Sequence, residues 1–397
     1  MRILLTGASG FIGSTLAPAL LAEGHDLRAL ARNPARARDA LAHAFEIAQS
    51  NGEAPPAAPR VDVIRSDTPA SAPRVDVIRG DTPASTPRVD VIRGDTPAST
   101  PRVDVIRGDT PASAPRVDVI RNDTPASAPV DVIRGDVLTG EGLARALKGV
   151  EVAYYLIHSM ESRPADPSHR SPFTERERHG AETFAAHARR AGVRRIVYLG
   201  GPLPHSRRAS RHLSSRAEVE EILRGQVPDS VALRASIVIG ARSRSFRLLV
   251  RLVERLPVLA LPAWREFRTQ PIDVRDAIEM LTVAAHLPGV AGRTLDIGGP
   301  QALTYEQMLG RIAELLLLPR PTLPLRVTMT QLTARLAAAL AGEDPELILP
   351  LMESLEGDLL PADDHAAELM GVELHSFDSA VECALREWET VEPLAAR

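Results

Sequence analysis

Three glycines spaced three apart open the chain, in the run Thr6-Gly7-Ala8-Ser9-Gly10-Phe11-Ile12-Gly13. A short apolar strand, Ile3 to Leu5, leads into them, and a helical stretch from Ser14 to Glu23, closed by Gly24, follows. In that context the first glycine permits a tight turn and the second lets backbone approach an anion. The third allows a helix to pack closely on its strand, while the helix N-terminus offers free N–H groups and a favourable dipole. The chemistry implied is the cradling of a dinucleotide pyrophosphate. Thr6, Gly7, Ser9, Gly10, Phe11, Ile12 and Gly13 are its candidate contacts.

The end of the second strand decides which dinucleotide. An acidic residue there would hold free ribose hydroxyls, as NAD requires. This strand, Leu27 to Ala31, runs instead into Arg32-Asn33-Pro34, with no carboxylate. A guanidinium grips a 2′-phosphate in bidentate fashion where a carboxylate would repel it. NADP(H) is therefore expected over NAD(H), with Arg32 as the clamp. Arg28, Arg36 and Arg38 read as solvated faces. Asp136-Val137, after the third strand, would meet the adenine edge or simply form a turn.

The elements that must position these residues alternate. A helix over 35–50 follows strand two, and Val130 to Ile133 is strand three. Then come a helix over Gly140 to Lys148, strand four at Val152 to Ile157, and a long helix over Phe173 to Ala191. Strand five is Arg195 to Leu199, a helix spans Ser215 to Arg224, and strand six is Val231 to Ile239. The pattern predicts an α/β fold, a Rossmann-type doubly wound parallel sheet covered on both faces. Past Gly240 the chain reads as mostly helical, with one strand at Thr294 to Ile297 returning to the core and a helix over Tyr305 to Leu316. The expected organisation is a nucleotide-binding domain over 1–240 and a smaller substrate or partner region over 241–397.

One stretch interrupts that organisation before strand three. From Pro59 a fourteen-residue unit, Pro-Arg-Val-Asp-Val-Ile-Arg-Ser/Gly/Asn-Asp-Thr-Pro-Ala-Ser-Ala/Thr, recurs in five full copies. A sixth, beginning at Pro129, departs into Gly135-Asp136-Val137-Leu138. Each copy has too few apolar residues to offset about 1–2 kcal/mol of ordering entropy per residue. The Pro-rich tandem-repeat insertion over 51–129 is expected to be a flexible surface excursion. The last copy should fill the third-strand slot, because Val137 and Leu138 continue into a helix whereas earlier copies run into Thr-Pro.

Composition narrows the classes. The net charge of −4 over 397 residues argues against a nucleic-acid binder working by bulk electrostatics. No run approaches the length of a membrane span. The single cysteine, Cys383, excludes an intramolecular disulfide and any multi-cysteine metal site. With no leader pattern at Met1-Arg2, a cytoplasmic location is expected. Basic residues are almost all arginine, and Lys148 is the one lysine.

At this point the chain resembles the extended and atypical short-chain dehydrogenases/reductases, above all the NAD(P)H-binding group related to the NADPH-binding accessory subunit of mitochondrial complex I. The likeness rests on Thr6-Gly7-x-x-Gly10-Phe11-x-Gly13, Gly135-Asp136, Tyr155-Leu156-Ile157-His158-Ser159-Met160 and Val193-Arg194-Arg195-Ile196-Val197-Tyr198-Leu199-Gly200-Gly201. It continues through Ser210-x-His212-Leu213-x-Ser215-Arg216, Gln270-Pro271-Ile272-x-Val274-x-Asp276 and Ile297-Gly298-Gly299-Pro300. The resemblance implies that Leu156, Ile157 and Gly200, at strand ends, also border the cofactor.

Active members of that superfamily use a tyrosine as acid/base, a lysine four residues on, and a serine ending strand five. Here none of Tyr154, Tyr155, Tyr198 and Tyr305 has that lysine. By the resemblance, His212 and Arg216 stand in the two places and Gly200-Gly201 in the serine's. A substitute chemistry would use His212 as proton donor near neutrality, Arg216 on the ribose hydroxyls, and Ser159 or Ser215 to orient a carbonyl beside His158. The expectation is an NADPH-dependent oxidoreductase on a small carbonyl, enone or quinone-like substrate. The alternative is a non-catalytic NADP(H)-binding structural, assembly or redox-sensing protein whose C-terminal region binds another protein.

Overall fold

The computed structural model describes residues 1–50, 130–157, 173–204, 209–325, 357–392 and 394. The five full repeat copies, together with His158 and Ser159, lie outside the described residues.

Side-chain alternation builds the central layer. In β1 (Arg2–Thr6), Ile3 and Leu5 enter one apolar cluster while Leu4 enters another. In β4 (Val152–Tyr155), Val152 and Tyr154 share the first cluster, and Ala153 and Tyr155 the second. A period of two with both faces apolar is what a parallel sheet buried under helices requires. The remaining strands are β2 (Asp26–Ala31), β3 (Asp131–Arg134), β5 (Arg195–Gly200), β6 (Val231–Ala235) and, much later, Thr294–Ile297. Their order across the sheet is the last-named strand, then β6, β5, β4, β1, β2 and β3. Every one of these pairings is parallel. The order reverses between β1 and β4, which opens a crevice at their carboxyl ends.

Helices cover both faces. α1 (Phe11–Ala22) and α2 (Pro34–Ser50) follow β1 and β2, α3 (Leu143–Ala146) follows β3, α4 (Phe173–Arg190) follows β4, and α5 (Arg211–Gln226) follows β5. The third-strand slot is filled by Asp131–Arg134, from the sixth repeat copy, paired residue for residue with Arg28–Ala31.

Several boundaries differ from the sequence expectation for identifiable reasons. Strand four stops at Tyr155, because the Leu156 N–H turns to the Thr6 hydroxyl. The helix expected over Gly140 to Lys148 shrinks to the single turn of α3, because Gly140 and Gly142 both take left-handed backbone. Strand six breaks after Ala235. Val238–Ile239 forms a separate short strand, β7, pairing with Ile272–Asp273 away from the main sheet.

Past β7 come α6 (Arg244–Arg255), β8 (Leu259–Leu261), β9 (Arg268–Thr269), β10 (Ile272–Asp273) and α7 (Val274–Ala284). β11 (Thr294–Ile297), the last strand of the main sheet, comes next, then β12 (Leu303–Thr304), α8 (Tyr305–Leu315), β13 (Thr322–Pro324), α9 (Ala366–Met370) and α10 (Phe377–Glu389). α6, α8 and α10 enclose a third apolar cluster around Phe246, Trp264, Tyr305 and Trp388. α7 instead packs on α1 within the first cluster.

A buried ion network locks β11 to the sheet. The Glu220 carboxylate accepts two bonds from the Arg234 guanidinium at 2.8 and 3.0 Å and one from the Thr294 hydroxyl at 2.5 Å. Among the described residues, no helix is long and apolar enough to cross a membrane.

Candidate functional site

The glycine turn is built to admit something against its backbone. Gly7 has φ +71°, and a Cβ there would lie 2.4 Å from the Leu156 carbonyl oxygen. A Cβ on Gly13 would lie 2.3 Å from the Gly7 carbonyl oxygen, so α1 can sit this close to β1 only with glycine there. The N-cap, Gly10, supplies no side-chain hydrogen bond to the first turn of α1. The orphan amides of that turn are thus left for an anion.

Around the turn lies a cavity at the carboxyl ends of β1, β2, β3 and β4. Of the residues expected from sequence, Gly7, Ser9, Gly10, Arg32, Asp136, Val137, Leu156 and Ile157 line it. Thr6, Phe11, Ile12, Gly13 and Gly200 do not. The Thr6 hydroxyl is buried between strands, donating to the Tyr154 carbonyl at 2.9 Å. The Phe11 ring fills the space beside Gly240. Gly200 ends β5, farther along the sheet.

The arginines sort themselves by partner. Arg32 and Arg36 are both exposed and both face the cavity. The sequence alone makes Arg36 a solvated face. The signal that places it is the helix start: Asn33 Oδ1 accepts the Arg36 amide at 3.2 Å, and Pro34 opens α2, so Arg36 falls in the first turn, beside the rim. Arg28 is committed elsewhere. Its guanidinium donates to the carbonyls of Ala146 and Lys148 at 2.8 and 3.1 Å, capping α3. Arg38 does not line the cavity. Asp136 does both things expected of it: its carboxylate accepts the Leu138 amide at 2.8 Å in a turn, and it borders the cavity. Ala8, Leu30, Ala31, Asn33, Gly135 and Leu138 complete the lining.

The residues proposed for proton chemistry lie on the first two turns of α5. His212 is buried at 7% exposure. The Arg216 guanidinium donates to the Leu199 carbonyl and lies 5.5 Å over the Tyr198 ring, while the Tyr198 hydroxyl donates to the Arg216 carbonyl at 3.2 Å. Ser215 turns away from the crevice and donates to the buried Glu177 carboxylate of α4 at 2.6 Å. Its hydroxyl proton is engaged there in this structure. His158 and Ser159 lie outside the described residues.

The tyrosines are all core residues. Burial drives the phenols of Tyr154 and Tyr155 far above the ordinary tyrosine range and pushes Tyr198 up to about 12. Tyr305 packs against Trp264 in the third cluster, ring centroids 5.9 Å apart. Lys148 is exposed beyond α3, at the opposite end of the sheet from the crevice. A tyrosine–lysine pair is thus ruled out by position as well as by sequence.

Residues 3–78 match the model of the NAD dependent epimerase/dehydratase family. Curated protein sequences yielded no match. Solved structures similar over the whole length include a dTDP-glucose 4,6-dehydratase from Streptomyces venezuelae with NAD and TYD bound. It is 18% identical, with 98% of this chain and 97% of that chain covered and a TM-score of 0.57. UDP-glucuronic acid 4-epimerase from Bacillus cereus, in complex with UDP-glucuronic acid and NAD, is 13% identical, covering 99% and 100% at a TM-score of 0.57. UDP-glucose 4-epimerase from Thermotoga maritima with UDP-glucose is 12% identical, covering 99% and 100% at 0.58. The fold is the one these dehydratase and epimerase structures share. This chain carries that fold without the tyrosine–lysine pair in place.

Proposed function

We propose that the chain binds NADP(H) in preference to NAD(H) and acts as an oxidoreductase on a small carbonyl, enone or quinone-like substrate. The observation that carries the cofactor reading is the pair of exposed guanidiniums, Arg32 and Arg36, at a cavity rim where strand two ends without a carboxylate. A bidentate guanidinium suits a phosphate dianion. The glycine turn and the open first turn of α1 would take the pyrophosphate. When bound, the cofactor would supply or accept a hydride. This chain's part is to hold it through backbone amides and Arg32, to orient the far ribose with Arg216, and to deliver a proton from His212. Activity is proposed for the cytoplasm, which a tagged chain in cells would report.

A second reading is favoured by the same turn of α5. His212 is buried and Arg216 is already bonded to Leu199, so the site could bind the dinucleotide without turning it over. The protein would then be a redox-responsive or assembly module. Titration of NADPH against NADH tests the shared claim. A carbonyl and quinone panel with NADPH separates the readings: turnover lost in His212→Ala supports the oxidoreductase, whereas tight binding without oxidation supports the module.

A further inference from the structure

Three potential ligands meet at the amino end of the sheet, beside the start of β2 and away from the glycine turn and the crevice. Glu23 Oε2 lies 3.1 Å from His25 Nε2 and 4.0 Å from His286 Nδ1. All three residues offer a ligand atom within 4.8 Å of the others. With metal–ligand bonds of about 2.0–2.2 Å, the edges of a tetrahedral zinc site measure about 3.3 Å. The Glu23 and His286 side chains are both part-exposed.

The backbone positions are rigid. α1 ends in a two-bond C-cap: the Gly24 amide donates to Leu21 at 2.9 Å and the His25 amide to Leu20 at 3.2 Å, with Gly24 at φ +76°. This fixes Glu23 and His25 on one turn. His286 sits on the closing turn of α7, its amide donating to Val283 at 3.1 Å. The buried Arg195 guanidinium clamps that turn by donating to Ala284 and Leu287 at 2.7 and 3.0 Å. α1 and α7 pack side by side, so the two turns hold a constant spacing.

The His25 Nε2 is buried, and the Glu23 carboxylate 3.1 Å away is its neighbouring charge.

We propose that Glu23, His25 and His286 form a three-ligand site for a borderline divalent cation, with Zn²⁺ the best match to two imidazoles and a carboxylate. The site joins the end of the nucleotide-binding helix α1 to α7, and its role is to stabilise that packing. It takes no part in the cofactor chemistry.

The test uses the tag-free full-length chain. Zn²⁺ is titrated by calorimetry and the thermal midpoint followed, for wild type, His286→Ala and Glu23→Gln, both altered at exposed side chains so that folding is preserved. One equivalent should bind and raise the midpoint. Each variant should weaken binding at least about tenfold, with NADPH affinity unchanged. Co²⁺ should give the visible absorption of a tetrahedral site in wild type and lose it in His286→Ala. Absence of binding at micromolar Zn²⁺ overturns the proposal. So does equal affinity in all three proteins, which would put the ion elsewhere, such as the exposed Asp363-Asp364-His365 group.

Discussion

Replacing Arg32 by Asp probes the cofactor reading most directly. Arg32 and Arg36 are exposed at the cavity rim, so each bond to a 2′-phosphate competes with water and salt. Hydrogen bonds to charged groups contribute about 1.5–3 kcal/mol, and exposure reduces that to about 1–2 kcal/mol. Loss of the guanidinium alone, in Arg32→Ala, should therefore weaken NADPH about 5- to 30-fold and leave NADH nearly unchanged. Arg32→Asp adds repulsion of the phosphate and supplies an acceptor for the free ribose hydroxyls of NADH, so the preference should reverse. Arg36 lines the same cavity, so on the proposed reading Arg36→Ala and the double variant should combine non-additively. The NADPH-over-NADH ratio of wild type should also shrink as salt rises from 0.1 M, where the screening length is about 10 Å, toward 1 M, where it is about 3 Å. Fluorescence titration of both reduced coenzymes measures all of this. If Arg32→Asp leaves the ratio of the two dissociation constants where it was, the clamp is misassigned.

Other outcomes rest on the packing. Gly13→Ala forces a methyl against the Gly7 carbonyl at 2.3 Å; nucleotide binding should vanish and stability fall by about 1–3 kcal/mol, read by titration and chemical denaturation. Glu220→Ala leaves Arg234 without its carboxylate and removes the acceptor of the Thr294 hydroxyl proton, which should cost about 3 kcal/mol in urea unfolding; a loss under half that would mean water replaces the network. Burial raises the Asp276 carboxyl above its ordinary value, against the pull of the His375 hydrogen bonds. The folded state thus favours the protonated acid, and its contribution is full below about pH 3.9 and lost as pH climbs through the raised value. Wild type should lose stability relative to Asp276→Asn over that rise, and the opposite trend in denaturation midpoints would refute the assignment.

Much of this protein is legible in one dimension. The glycine spacing predicts a tight strand-to-helix turn, and only glycine fits it because a Cβ at Gly7 or Gly13 would sit 2.3–2.4 Å from a carbonyl oxygen. Apolar alternation defines the parallel sheet, and the absent tyrosine–lysine pair is visible by inspection. Local sequence carries these features because each depends on sterics within a few residues or on a short period. The tertiary structure decided what depends on partners distant in sequence. It made Arg28 a helix cap and Arg36 a cavity residue, although both are arginines near the same strand. It turned Ser215 to Glu177 rather than to the crevice, and brought His286 beside Glu23 and His25. It also chose among six copies of one strand sequence. Only the sixth continues into Gly142, where a Cβ would lie 2.3 Å from the Arg134 carbonyl oxygen, and into Val137 and Leu143, which fill the core beneath. Identical segments are indistinguishable until their neighbours along the chain must pack.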